Sequence, residues 1–371
     1  MAQFLGQLNS NEIFAALYNM IISQQVFADN ISKTGSELVD MARVDGSLYG
    51  DQKLYYATDI LGSDEWGMDA EATNLLALHR PAAPEVQAIE LNQFRQISLT
   101  VDNYLSKRAW EDEGAFSSFN SVMLGWIGET KRIYEAKLYN TFIGTNKAEG
   151  AAQNITITLP TADDAEGQAR LEAQTIARTI ADTYVALADA SRDFNDLGNY
   201  RSFAKEDMVM VWNAAYVNSI TNMDLPTIFH KDGLDLSFKH TLPAKYFGTV
   251  KTTGATLPGS AANLTVRTLV EKDYNSVAPS HPDYVKSLHI FPGDLIPAGQ
   301  AYNAYEAYEE DSTVIGKMYH KNAVPFMSAF EVGTSFFNPK SLTENRYLTW
   351  GYNTLENLEN YPYITFTAVE A

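Results

Sequence analysis

The sequence predicts an α+β fold. A three-and-four spacing of apolar residues runs from about 102 to 143, and a second helical pattern covers 166–190. Separate alternating or continuous apolar runs on either side of these helices read as strands. No segment repeats at a solenoid period.

Residues 1–45 read as an arm. Ile13, Phe14, Leu17, Tyr18 and Ile21 fall on one helical face, with Asn9 or Ser10 as N-cap, and the pattern fades after Ala28. A short helix with one apolar stripe must bury it, either on its own domain or on a neighbouring subunit. Phe14, Leu17 and Ile21 are therefore candidate assembly contacts. Residues 46–84 are rich in turn signals (Asp45-Gly46, Gly50-Asp51, Gly62-Ser63-Asp64, Pro81, Pro84) and read as an extended hairpin too poor in apolar residues to hold a core. Trp66 stands in its polar, Gly-rich part and is a fourth candidate contact, unless it folds back on its own core.

Residues 85–101 read as a strand. Ile89 and Leu91 alternate with polar neighbours and Ile97, Leu99 and Val101 resume the pattern, with a bulge expected near Phe94. The next helix should begin at Asp112-Glu113, where acidic groups suit the helix dipole, and end at Gly144. Some 28 residues would span roughly 40 Å, the length of a rod from which other pieces hang. Asn154–Leu159 reads as a strand, 166–190 as a helix, Met208–Trp212 as a central strand, and Ala214 to about Met223 as a helix. Short strands and turns alternate over 224–300. From 324 the chain is strand-rich again, and in Tyr361–Thr367 Ile364 and Phe366 should face opposite to Tyr363 and Thr365.

A length of 371 residues fits two or three domains. No apolar run reaches the roughly 18 residues of a membrane helix. The N-terminus carries no positive charge before Lys33, and Asn9, Asn11, Glu12 and Asn19 interrupt its apolar residues, so no secretory signal is read and a cytoplasmic protein is expected. The absence of cysteine excludes disulfides and thiolate metal sites. A formal charge of −19 disfavours specific nucleic-acid binding, which needs Lys and Arg against phosphate. Tyrosine is abundant, at 21 residues, and suits surfaces buried on assembly as well as sugar-binding clefts.

No catalytic motif is found. None of the six histidines (His79, His230, His240, His281, His289, His320) stands at metal-ligand spacing. There is no nucleophile elbow and no phosphate-binding glycine loop. Asp163-Asp164 and Glu309-Glu310-Asp311 could evoke a glycosidase carboxylate pair, but neighbouring residues point apart and such runs are usually solvated. No catalytic, cofactor-binding or metal-binding residue is assigned. A chain with an arm, a loop too poor to fold alone and a rod-like helix is built for assembly.

The order of elements resembles the HK97-type major capsid proteins of tailed bacteriophages. EVQAIELNQFRQISLTV (Glu85–Val101) looks like the strand returning from the extended loop, and DEGAFSSFNSVMLGWIGETKRIYEAKLYNTFIG (Asp112–Gly144) like the spine helix. KEDMVMVWNAAYVNSI (Lys205–Ile220) resembles the buried strand and helix of the axial domain, and FFNPKSLTENRYLTWGYNTLENLENYPYITFTA (Phe336–Ala368) the closing strands. The resemblance implies an arm over 1–45, an extended loop over 46–84, a peripheral domain with the spine helix over 85–165, a mainly axial domain over 166–323, and peripheral return strands over 324–371. It implies a non-enzymatic shell of pentamers and hexamers around phage DNA, made in the host cytoplasm, with DNA touched at most non-specifically and no membrane. With Met1 present and about fifty residues before the loop, a separate scaffolding protein is expected, together with a portal. A tail tube or sheath subunit is the alternative within virion proteins, and an aromatic-rich carbohydrate-binding or glycoside-cleaving protein the alternative outside them.

Overall fold

The computed structural model describes residues 35–46, 50–63, 78, 80–101, 113–221, 240–257, 264–269, 291–295 and 302–370. Its helices are α1 (Glu37–Met41), α2 (Glu113–Thr145), α3 (Ala165–Ala188) and α4 (Ala214–Thr221). Its strands are β1 (Gln52–Ala57), β2 (Glu85–Val101), β3 (Asn154–Leu159), β4 (Met208–Asn213), β5 (His240–Leu242), β6 (Gly248–Leu257), β7 (Thr265–Leu269), β8 (Tyr302–Glu310), β9 (Val314–His320), β10 (Ser328–Asn338), β11 (Thr343–Asn353) and β12 (Tyr363–Glu370). They form three sheets, ordered β1-β2-β11-β10, β3-β12-β9-β4-β5 and β6-β8-β7. Residues 324–371, expected to return as one set, divide: β10 and β11 join β2, whereas β12 lies between β3 and β9.

Helix α2 begins at Glu113 as its acidic start suggests, but runs for 33 residues. Gly144, expected to end it, lies inside it. A Cβ at that position would strike the Tyr246 carbonyl, so the missing side chain lets the segment before β6 lie directly on the helix. The helix closes at Thr145, whose hydroxyl donates to the Thr141 carbonyl at 2.7 Å. From Tyr134 to Thr145 every residue except Lys137 is buried, and from Gly125 to Ile133 none is.

The five-stranded sheet is covered on both faces. Met208, Met210 and Trp212 of β4 and Ile364, Phe366 and Ala368 of β12 pack with Ile176 and Ile180 of α3. Val211 and Tyr363 point the other way, into the cluster built on Tyr139, Phe142 and Ile143 of α2. This is the expected alternation of β12, and two covered faces explain why β4 reads as a continuous apolar run. A bulge at Ile315 resets β9, because Phe366 pairs with Gly316 but Thr367 with Val314.

In the four-stranded sheet, Ile97 of β2 and Trp350 and Tyr352 of β11 pack toward α2. The irregularity expected near Phe94 falls at Asn92: Tyr352 pairs with Gln93 and Asn353 with Leu91. The displaced Asn92 side chain accepts from both N and Oγ1 of Thr354 at 2.9 Å.

Lys317 of β9 is a buried cation on the α2 side of its sheet, 2% exposed. Its ammonium donates to the Asn146 carbonyl at 2.8 Å and to Thr365 Oγ1 at 2.9 Å. Burial, with Lys147 adding repulsion, pushes its pKa down from 10.5 to about 7. Between these values the folded chain binds fewer protons than the unfolded one. Stability from this group is therefore complete above about 10.5 and is lost as pH falls toward 7. The urea midpoint should rise between pH 7 and 9.5, and the Lys317→Met variant should show a flatter profile; equal slopes would refute the assignment. Gly144→Ala should cost about 1–3 kcal/mol by urea unfolding, since the Tyr246 backbone must move.

Candidate assembly surface

Several of the polar groups that stood out as possible chemistry have structural partners. Asp164 is the N-cap of α3, accepting from the Gly167 amide at 2.9 Å. Asp311 closes the β8–β9 turn, accepting from N and Oγ1 of Thr313. Glu309 pairs with Lys251 at 3.3 Å. His320 stacks on Tyr361 with ring centroids 4.5 Å apart, and burial lowers its pKa, which keeps it neutral. His240 lies 3.8 Å from Glu37. The other four histidines lie outside the described residues. Among the described residues no three His, Asp or Glu side chains could hold a metal.

What the described structure offers is surface. Strand β1 pairs antiparallel with the first half of β2, Gln52 opposite Glu90 through Ala57 opposite Glu85, as a two-stranded ribbon. Leu54, Tyr56 and Val86 on one side of it are 48%, 64% and 53% exposed. Two such strands with an apolar face open to water are marginal alone. The base of the ribbon is latched to the loop after α3. Arg192 pairs with Asp59 at 2.7 Å, the Tyr200 amide donates to Asp59 at 2.9 Å, and Arg201 donates to the Thr58 carbonyl at 2.6 Å. The Tyr200 amide, the Ile60 amide and Arg192 together hold the Asp59 carboxyl below its usual range.

The far side of the molecule is pinned to α2 by charge. Glu135, with its side chain 1% exposed, receives Arg43 at 2.8 Å and the Ser328 hydroxyl at 2.6 Å. It thereby ties the chain entering from residue 35 and the start of β10 to one helix turn. Lys137 pairs with Asp294 at 2.7 Å and lies over the Phe291 ring. Arg267 pairs with Glu306 at 2.6 Å, donates to Thr145 Oγ1 at 2.7 Å and lies over the Phe142 ring. These contacts hold the three-stranded sheet on the helix.

The four contacts read from the sequence, Phe14, Leu17, Ile21 and Trp66, all lie outside the described residues. Asp59, Arg192, Glu135 and Arg267 were not singled out, because a charged residue gives no one-dimensional sign of burial. Arg95 left a sign. It stands on the inward register of β2 between Leu91 and Ile97, and its guanidinium lies 4.7 Å from the Tyr134 ring centre.

Three sheets about one long helix, with an apolar face left open on the β1–β2 pair, suit a shell-building protein of the HK97-type phage capsid class. The chain belongs to the Phi29-like phage major capsid protein family, whose model it matches over residues 5–366. Among solved structures, it matches a chain in the capsid structure of Staphylococcus phage Andhra with TM-score 0.61 and 11% identity, covering 93% of this chain and 87% of that one. It also matches a chain in the structure of head fiber and inner core protein gp22 of native bacteriophage P68, with TM-score 0.57 and 10% identity, over 88% and 83% of the two chains. No curated protein matches. At such identities the structures speak for the fold, and the family match carries the role in the virion capsid. The tail-protein and carbohydrate-binding alternatives give way to it.

Glu135→Ala should cost about 1–3 kcal/mol in urea unfolding, because the Ser328 hydroxyl loses its buried acceptor while Arg43, which is partly exposed, keeps Asp40. Arg192→Ala should leave the urea midpoint of global unfolding unchanged while speeding hydrogen exchange in β1. Unchanged exchange there would show that the latch does not hold the ribbon.

Proposed function

We propose that copies of this chain form the pentamers and hexamers of an icosahedral shell around phage DNA. The chain acts without catalysis, is made in the host cytoplasm, and assembles with a separate scaffolding protein and a portal. In this reading residues 1–45 serve as an arm and 46–84 as an extended loop. The four-stranded sheet with α2 is the peripheral region, and the segment mainly within 166–323 is the axial one. The observation that carries the proposal is the ribbon: Leu54, Tyr56 and Val86 stand on the outer face of the β1–β2 pair with no cover among the described residues. Packing them on a neighbour would return the apolar burial that the single chain lacks. The charge of −19 keeps any contact of the wall with packaged DNA weak and non-specific.

The test is expression of the chain alone and with a candidate scaffold, followed by light scattering and electron microscopy. Closed icosahedral particles or ring-shaped capsomers are expected. A monomer at high concentration under both conditions would overturn the proposal.

A further inference from the structure

Two features of the four-stranded sheet lie at its opposite ends and match each other. At one end, where Ala57 pairs with Glu85, a cavity of about 370 Å³ opens at the ribbon base. Tyr55, Tyr56 and Tyr361 line it together with Leu358, and Glu85 and Glu359 bring carboxylates to it. Asp196, Glu149, Glu85 and Glu356 add negative charge around Glu359, whose carboxyl is raised first by partial burial and then by these neighbours. A cavity with aromatic walls and crowded carboxylates is suited to a cationic, part-apolar guest.

At the other end is the tip of the β10–β11 hairpin, beyond the pairing of Asn338 with Thr343. From Ser335 to Thr343 the only charged residue is Lys340. The tip carries Leu342, 46% exposed, and Phe336, 62% exposed, stands on β10 two residues before it. Leu342 has φ +57°, a conformation that glycine or asparagine adopts at lower cost. An exposed leucine in a left-handed turn is unfavourable in the isolated chain on both counts. Strand β2, 17 residues long, separates the two features by roughly 55 Å, so tip and cavity of one chain do not meet.

We propose that the β10–β11 tip of one copy, led by Lys340 and Leu342, seats in the Tyr55–Tyr361–Glu359 cavity of a second copy. This deepens the shell reading and rests on it. A contact between unlike patches at opposite ends of a subunit is head-to-tail, so it propagates from copy to copy and closes into rings where the rotation allows. Lys340 supplies charge to the carboxylates, while Leu342 and Phe336 supply apolar surface to the tyrosines.

The chain has no cysteine, so only the introduced thiols can cross-link, and the single variants show any pairing of like thiols. In assembled particles, the Leu342→Cys/Tyr56→Cys double variant should cross-link under mild oxidation into a ladder beyond the dimer. Either single variant can give dimers at most. The charge-swap series gives a second readout. Lys340→Glu and Glu359→Lys should each raise the concentration needed for assembly roughly tenfold, with thermal melts of the unassembled chain unchanged. The double swap should bring that concentration most of the way back. Particles that form normally but give no ladder, or a double swap no better than its parents, would overturn this contact and leave the shell reading standing. A wild-type chain that gives neither particles nor capsomers would overturn both.

Discussion

The C-terminal twelve residues of α2 are buried on nearly every side, Lys137 excepted, and much of the described fold packs against them. Tyr134 meets Trp350 and Tyr352 of the four-stranded sheet. Tyr139 and Ile143 enter the cluster shared with Tyr319 and Tyr363 of the five-stranded sheet. Gly144 admits the approach to β6, and Thr145 receives Arg267 from the three-stranded sheet. A helix enclosed in this way cannot leave its polar side chains to water, and most of these groups find partners within the fold, Asn140 Oδ1 and Thr141 Oγ1 excepted. Glu135 has Arg43 and Ser328, and Asn140 donates to the Gly35 carbonyl at 3.4 Å. The partners come from segments far apart in sequence, so satisfying one helix draws distant parts of the chain together.

The same enclosure accounts for much of the aromatic content. The tyrosines were as consistent with a surface meant for assembly as with anything else, yet many of them build the core. The Tyr139 hydroxyl donates to the Val324 carbonyl at 3.1 Å, and the Tyr363 hydroxyl to the Ile143 carbonyl at 2.7 Å. The hydroxyls of Tyr134 and Tyr352 lie 2.8 Å apart. A tyrosine brings a large apolar ring and one donor, which suits the meeting of sheets and a helix where irregular carbonyls must be satisfied at depth. Leucine or phenylalanine would fill the space and leave those carbonyls unpaired.

Much of the element order was legible in the sequence because it rests on periodicity. The β2 alternation, the two long helices, and the opposite facing of Ile364 and Tyr363 follow from side chains that alternate or recur every three or four residues. What was not legible depends on contacts between distant residues. Gly144 reads as a helix stop until Tyr246 is placed on it, and the bulge at Asn92 follows from the position of Thr354. The division of 324–371 between two sheets turns on pairing partners that alternation does not name. The polar pins were invisible for the same reason: nothing local marks Glu135 as buried or Asp59 as held, whereas Arg95 shows itself by interrupting an apolar register.

The pins also differ in strength, and the difference orders the molecule. Glu135, at 1% exposure, is shielded from salt and solvent, and removing its partner would leave a charge in the core. Arg192 and Asp59 at the ribbon base are 49% and 24% exposed, and pairs in such positions contribute little and are screened. The sheets are therefore fixed to α2 by buried contacts, whereas the ribbon combines this exposed latch with an inner face on which Tyr55 and Ile89 pack with Met327, Leu358 and Tyr361. In the proposed shell, a subunit that fits neighbours in both pentamers and hexamers would draw on this difference. The body that sets the geometry would stay rigid, and any adjustment to the next copy would fall first on the exposed Arg192–Asp59 latch, which opens at small cost.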